Sequence, residues 1–363
     1  MRIAPMYGNM AAMKPFEARQ SQIKSTTLGI IITHALATIS RRTNSAGSNL
    51  KIVGIISLCF ACFTTEVLAS PPGPSGPSTV VTGLSYPQSI AVDGNGNLYI
   101  GDQGCINFIG TPGDCNVYKE TLSGGTFTQT VIASFSASNA PQGIALDNSG
   151  NVFITVLGNG VVEATPSGGG KYTQRPIGCA FDAPGGVAVD YQGTLYVTNR
   201  SGSRINSEKP TDTCSTMGLV ASGLSAPTGL AIDGSSSVYV IQSGAPGTVL
   251  KEVASGNGYS ATTVAGGGTF NGVAVDAKKN VFLTAGDGSV YEYSPPNINS
   301  VNYSYFALAI GLTVPTGVAA DTNGNIYVVN TGQNQVIKIP VAPTNAQRRR
   351  KAFVVPPAAA TKH

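Results

Sequence analysis

The chain has no tryptophan, and its only two histidines are His34 and His363. Residues 35–362 therefore hold no imidazole. That excludes a Ser-His-Asp or Cys-His relay there, and any metal site built on histidine. Charge is scarce as well: 11% of the 363 residues are Asp, Glu, Lys or Arg. The formal net charge of +4 divides unevenly. Residues 1–69 carry seven basic and two acidic groups, and the segment from Arg348 carries five basic groups. Residues 70–347 are left with ten basic and sixteen acidic groups. A body of net charge −6 argues against nucleic acid as a partner, because phosphate binding needs a basic face. Long apolar runs are nearly missing. The one strong run, IVGIISLCFACF at 52–63, falls short of the roughly 20 residues of a membrane-spanning helix.

That run has the layout of an export signal. Arg41, Arg42 and Lys51 precede it, and VLAS at 67–70 follows with compact residues before a cut after Ala69. An uncleaved anchor or a buried helix are the alternatives. The expected organisation is an N-terminal extension and signal peptide over 1–69, a linker over 70–77, a folded domain over 78–342, and a disordered basic, Pro- and Ala-containing tail over 343–363. The mature chain is expected to be secreted or periplasmic, with no stable membrane span. It keeps four cysteines, Cys105, Cys115, Cys179 and Cys214, with no Cys-x-x-Cys among them. An even number of cysteines in an exported chain favours disulfides over zinc.

What the chain has in plenty is glycine (45) and proline (22), among frequent Val, Thr, Ser and Tyr. That mixture suits short strands and tight turns. One sentence recurs six times: PQSIAVDGNGNLYIGD, PQGIALDNSGNVFITV, PGGVAVDYQGTLYVTN, PTGLAIDGSSSVYVIQ, FNGVAVDAKKNVFLTA and PTGVAADTNGNIYVVN. Its Asp residues stand at 93, 147, 190, 233, 276 and 321, spaced by 54, 43, 43, 43 and 45. Each unit holds a third alternating strand, and the first five a fourth. Four antiparallel strands in about 43 residues make one propeller blade. The sixth unit lacks a good fourth strand, while STVVTGLSYP at 78–87 matches the fourth-to-first passage GLVASGLSAP at 218–227. The expected fold is all-β: a six-bladed β-propeller whose last blade is closed by an N-terminal strand.

The pattern P-x-G-[IVL]-A-[VIL]-D followed by x-x-G-N-[LIV]-[YF]-[VI] resembles the NHL-repeat family of β-propellers over residues 78–342. Ser89, Phe270 and Ser237 depart from it at single turns. The resemblance implies a ligand face formed by two loop sets, fourth strand to first and second strand to third. On this chain those positions give the rim Gln88, Asp102, Gln142, Asn199, Arg200, Thr228, Gln242, Asn271, Thr316 and Asn330. Peptide-amidating and streptogramin lyases, with related propellers, rely on histidines that have no counterpart here. Gluconolactonase-like propellers hold a divalent cation with carboxylates and amides, and this rim offers one carboxylate, Asp102. No metal or other cofactor is therefore expected.

The repeated Asp residues read as turn formers, whose carboxylates bond backbone N–H groups two residues on. The neutral rim suits a peptide, protein or glycan partner, or merely satisfies backbone groups at strand ends. The leading expectation is an exported, non-enzymatic binding propeller. The alternative is a metal-assisted lactonase or lyase using Asp102 with amide ligands. The first blade carries about eleven extra residues between its second and third strands, bounded by Cys105 and Cys115. Their pairing is expected, and Cys179–Cys214 is a weaker candidate pair. Ile106, Phe108 and Ile109 on this insert either contact a partner or fold back as a satellite core.

Overall fold

The computed structural model describes residues 76–106, 115–158, 160–177, 181–210, 217–297, 302–340 and 353–354. The chain divides into two units, Met1–Pro71 and Pro72–His363; the first, with the expected signal peptide and its cleavage site, lies outside the described residues. The second is a six-bladed propeller. Blade one comprises Pro87–Val92, Leu98–Asp102, Cys115–Ser123 and Thr126–Phe135. Blade two comprises Pro141–Leu146, Val152–Val156, Gly160–Gly168 and Lys171–Ile177. Blade three comprises Pro184–Val189, Leu195–Asn199, Arg204–Glu208 and Gly218–Ser222. Blades four and five run in the same order from Pro227 to Gly268 and from Phe270 to Ile310. Blade six comprises Pro315–Ala320, Ile326–Asn330 and Gln335–Ile339, and its outer strand is Ser78–Val81, paired through Ser78 with Lys338 and Thr79 with Ile337. Sequence start and end thus meet in one sheet, as the repeat register requires.

The second strands explain the burial pattern. They sit between two neighbours in their own sheet and between two blades, so nearly every residue is buried, from Leu98–Asp102 to Ile326–Asn330. Six apolar clusters fill the six seams between blades. The seam from blade six to blade one, for example, joins Val329, Tyr327 and Val336 to Ile90, Leu98 and Ile100. Each fully buried aliphatic side chain contributes about 1.5–3 kcal/mol relative to exposure.

Every repeated Asp does the turn-forming work its sequence context implies. Asp93 Oδ1 accepts the N–H groups of Asn95 and Asn97, each at 2.9 Å, and Oδ2 accepts Asn97 Nδ2 at 2.7 Å. Asp147 and Asp276 repeat all three bonds, Asp190 and Asp233 accept the same two backbone N–H groups, and Asp321 accepts Asn325 N and Nδ2.

Cys105 and Cys115 are disulfide-bonded, with Cα atoms 4.9 Å apart. Both are buried against Ala140 of the next blade, with Phe135 beside them, in a small satellite cluster. Phe108, Ile109, Cys179 and Cys214 lie outside the described residues. Ile106 ends a short 3-10 turn. Of the segment expected to be an unstructured tail, Phe353–Val354 departs from that reading. These two residues pair in parallel with the outer strand of blade five at Ala309 and Ile310; the segment's other residues beyond Pro340 lie outside the described set. Among the described residues no helix is long and apolar enough to cross a membrane.

Candidate functional site

One end of the propeller axis opens into a cavity of about 350 Å³. The second residue of each repeat, after Pro or, in blade five, after Phe270, lines it in all six blades: Gln88, Gln142, Gly185, Thr228, Asn271 and Thr316. The repeat phase puts them there, because the first strands are the innermost and begin at the mouth. Most are already committed. Asn271 Nδ2 donates to Pro315 O at 2.8 Å, tying blade five to blade six, and Gln142 Nε2 donates to Ala140 O at 3.2 Å. The hydroxyls of Thr228 and Ser243 meet at 2.9 Å, and those of Thr316 and Thr331 at 2.7 Å. Thr331 Oγ1 also donates to Pro87 O at 2.7 Å, and Gln103 Nε2 to Pro141 O at 2.6 Å. The bonds from Asn271, Thr331 and Gln103 to proline carbonyls stitch neighbouring blades together at the mouth.

The second rim set behaves differently, and this corrects its expected place. Asp102, Asn199, Gln242 and Asn330 do not line the cavity. Each reaches back to a backbone N–H seventeen residues earlier and braces the loop that enters its blade. Asn199 Oδ1 accepts Asp182 N at 2.8 Å, Gln242 Oε1 accepts Ser225 N at 2.7 Å, and Asn330 Oδ1 accepts Thr313 N at 2.8 Å. Their amide nitrogens donate to the third strand or its approach, at Asn206, Thr248 and Gln333. A side chain at the end of a second strand lies between the loop and the third strand, so bracing is the geometry available to it.

Asp102 is the exception among the braces. Its Oδ2 accepts Ser85 N at 2.7 Å, but its Oδ1 is buried without a hydrogen-bond partner among the described residues. Burial pushes this carboxyl above its ordinary value, and the backbone N–H groups of Ser85, Tyr86 and Gly104 pull against that rise. A carboxylate whose folded value is raised loses stability as pH rises from the ordinary value, about 3.8, through the raised one. Asn at this position carries the same brace in blades three and six. Asp102→Asn is therefore expected to stabilise the fold at pH 7 by about 1–2 kcal/mol and to give almost nothing at pH 3. Thermal unfolding at the two pH values measures it; equal shifts at both would refute the carboxylate as the cause.

Arg200 is the single charged group lining the cavity. The three ion pairs among the described residues, Arg175–Glu163, Lys251–Asp233 and Lys279–Asp233, all lie elsewhere. Arg200 stands one residue after a second strand, where its counterparts are Gln103, Leu157, Ser243, Gly286 and Thr331. The backbone N–H at this position donates to the residue before the repeat's first residue in every blade: Gln103 to Tyr86, Leu157 to Ala140, Arg200 to Ala183, Ser243 to Ala226, Gly286 to Thr269 and Thr331 to Val314. This second ring shapes the mouth, and Gln103, Arg200, Ser243 and Val314 of it line the cavity. Apart from Arg200, the sequence reading missed it. The signal was the position just past each second strand, where residue type varies most from blade to blade.

A hard cation does not fit here. The donors lining the cavity are neutral and largely bonded to backbone or to one another, no carboxylate lines it, and Arg200 repels positive charge. Among the described residues no three His, Cys, Asp or Glu side chains gather to hold a metal ion.

No protein-family model matches the chain, and no curated protein matches it. Solved structures do. A glucose dehydrogenase-type oxidoreductase from Thermus thermophilus shares 16% identity at a TM-score of 0.55, over 72% of this chain and 99% of that one. A gluconolactonase from Xanthomonas campestris shares 14% at 0.57, over 73% and 89%. A virginiamycin B lyase from Staphylococcus aureus shares 14% at 0.51, over 73% and 98%. These likenesses establish the fold. They also correct the expectation of a non-enzymatic binding propeller, which rested on the missing histidines and the carboxylate-poor rim. The three solved rings above are named as an oxidoreductase, a gluconolactonase and a lyase, which favours the enzymatic alternative.

Proposed function

We propose that this chain is an exported enzyme of the lactonase or lyase type, acting on a small oxygen-rich substrate in the central cavity. The observation that carries the reading is the Arg200 guanidinium, unpaired and facing a cavity lined by neutral hydrogen-bonding groups. Lactone opening and elimination beside a carbonyl both place negative charge on a carbonyl oxygen in the transition state. A cation lining the cavity stabilises that charge. Elimination also needs a base to take a C–H proton, and no carboxylate or imidazole lines the cavity. Ring opening of a lactone needs only water: its oxygen bonds to the carbonyl carbon, the ring C–O bond breaks, and a water proton ends on the departing alkoxide. Lactone hydrolysis is therefore the better match. Gln88 and the other rim amides and hydroxyls would orient the ring. Export is supported by the signal-like segment at 52–63 and by the Cys105–Cys115 disulfide.

The test is acid release from a panel of γ- and δ-lactones by the purified chain, followed by pH-stat titration with and without a chelator. Turnover with kcat/KM of about 10⁴ M⁻¹s⁻¹ or more, unaffected by chelator, is expected. No release from any lactone would sink the activity. Release that chelator abolishes would sink the role given to Arg200.

A further inference from the structure

The mouth is chemically lopsided. Three consecutive blades present exposed apolar side chains in the ring of loop pairs described above: Val314 in blade six, Tyr86 in blade one and Leu157 in blade two, at 55, 46 and 42% exposure. The next blade presents Arg200, also exposed. Blades four and five present Ser243 and Thr269.

Val314 is the telling residue. It sits at φ 51°, the left-handed region, where Ala183 and Ala226 stand at the same loop position with φ 48° and 47°. That conformation crowds any Cβ, and a β-branched side chain suffers most. More than half exposed, the valine also gains little from packing. A residue that strains the backbone and leaves an apolar surface in water is poorly chosen for folding. It lines the cavity, so a ligand can cover it.

Resting on the lactonase reading of this cavity, we infer that the substrate is amphipathic: a lactone bearing an alkyl or aryl group, with its carbonyl end at Arg200 and its apolar group on Val314, which lines the cavity, and reaching toward Tyr86 and Leu157 on the neighbouring mouth loops. A bare polyhydroxylated sugar lactone would leave that apolar arc wet and gain nothing from it. Val314 and Arg200 both line the cavity, so one small molecule inside it can meet both. Covering such side chains contributes about tenfold in affinity for each one well buried.

The experiment compares two non-reacting acids that mimic opened products, 4-phenylbutyrate and gluconate, by calorimetry on the purified chain. Phenylbutyrate is expected to bind at least tenfold more tightly. Val314→Gly should weaken phenylbutyrate about five- to tenfold, leave gluconate unchanged, and raise Tm by roughly 3–6 °C as the strain is relieved. Leu157→Ser should weaken phenylbutyrate without altering the fold, which separates recognition from any backbone effect at 314. Gluconate binding as tightly as phenylbutyrate, neither acid binding, or both variants binding phenylbutyrate like the parent would each overturn the inference. These are equilibrium measurements. A chain that opens no lactone yet binds phenylbutyrate selectively would refute the activity and leave the amphipathic site standing, whereas efficient opening of sugar lactones alone would do the reverse.

Discussion

Gly272→Ala is expected to lower stability by about 3 kcal/mol and Tm by roughly 6–12 °C. Gly272 lies on the innermost strand of blade five, where it faces the innermost strand of blade six. A Cβ placed there would stand 2.1 Å from the carbonyl oxygen of Thr316 and 2.9 Å from Thr284 Oγ1. The first contact is backbone, so it is relieved only by moving the blades apart. That movement would also disturb the bond from Thr284 Oγ1 to Thr316 O that closes this seam. Its counterpart Gly186 is similarly tight against blade four, 2.6 Å from Thr228 O. Gly258→Ala is the control, because a Cβ there meets nothing within 4 Å. Thermal unfolding of both variants decides the matter. Equal Tm values would show that inner-strand contact does not limit how the blades approach.

Arg200→Met is expected to reduce kcat/KM for lactone opening by about 10²–10³ while leaving Tm within a degree or two of the parent. The first figure is the usual loss on removing one oxyanion-stabilising donor. The second follows from the guanidinium's lack of any ion pair or hydrogen-bond partner among the described residues, while its backbone N–H bond to Ala183 O survives the change. Arg200→Lys should recover part of the rate, since it keeps the charge and loses the planar fork. Initial-rate kinetics and thermal melts on the three proteins separate the cases. A methionine variant as fast as the parent would remove Arg200 from the chemistry. Loss of rate with an equal loss of stability would show that the side chain holds the loop instead.

The fold was legible because the six repeats keep one register. The Pro-x-Gly start, the Asp turn and the largely apolar second strand recur together, and each has a local physical cause. The Cys105–Cys115 bridge was legible for a similar reason, since both cysteines bound one insertion. The site was legible only in half. The second residue of each repeat lines the cavity, because strand order fixes which end of the innermost strand faces the mouth. Asp102, Asn199, Gln242 and Asn330 shared the right face and the right loop set, yet they serve as braces. Whether a side chain at the end of a second strand turns to the axis or to the incoming loop depends on where that loop's N–H groups lie, and those come from seventeen residues earlier. The short pairing of Phe353–Val354 escaped for another reason: composition alone cannot show that the outer strand of blade five leaves an open edge.

The sequence by itself determined the all-β class, six blades, the strand that closes the ring and the turn role of six aspartates, since all of these follow from patterns that repeat within the reach of local hydrogen bonds. Only the tertiary structure decided which polar groups are spent on stitching blades and which remain free. Gln103, Asn271 and Thr331 are consumed by proline carbonyls of neighbouring blades, while Arg200 has no such partner among the described residues and lines the cavity with Val314. Those assignments depend on distances between blades about 43 residues apart in the chain, which become fixed only when the ring has closed.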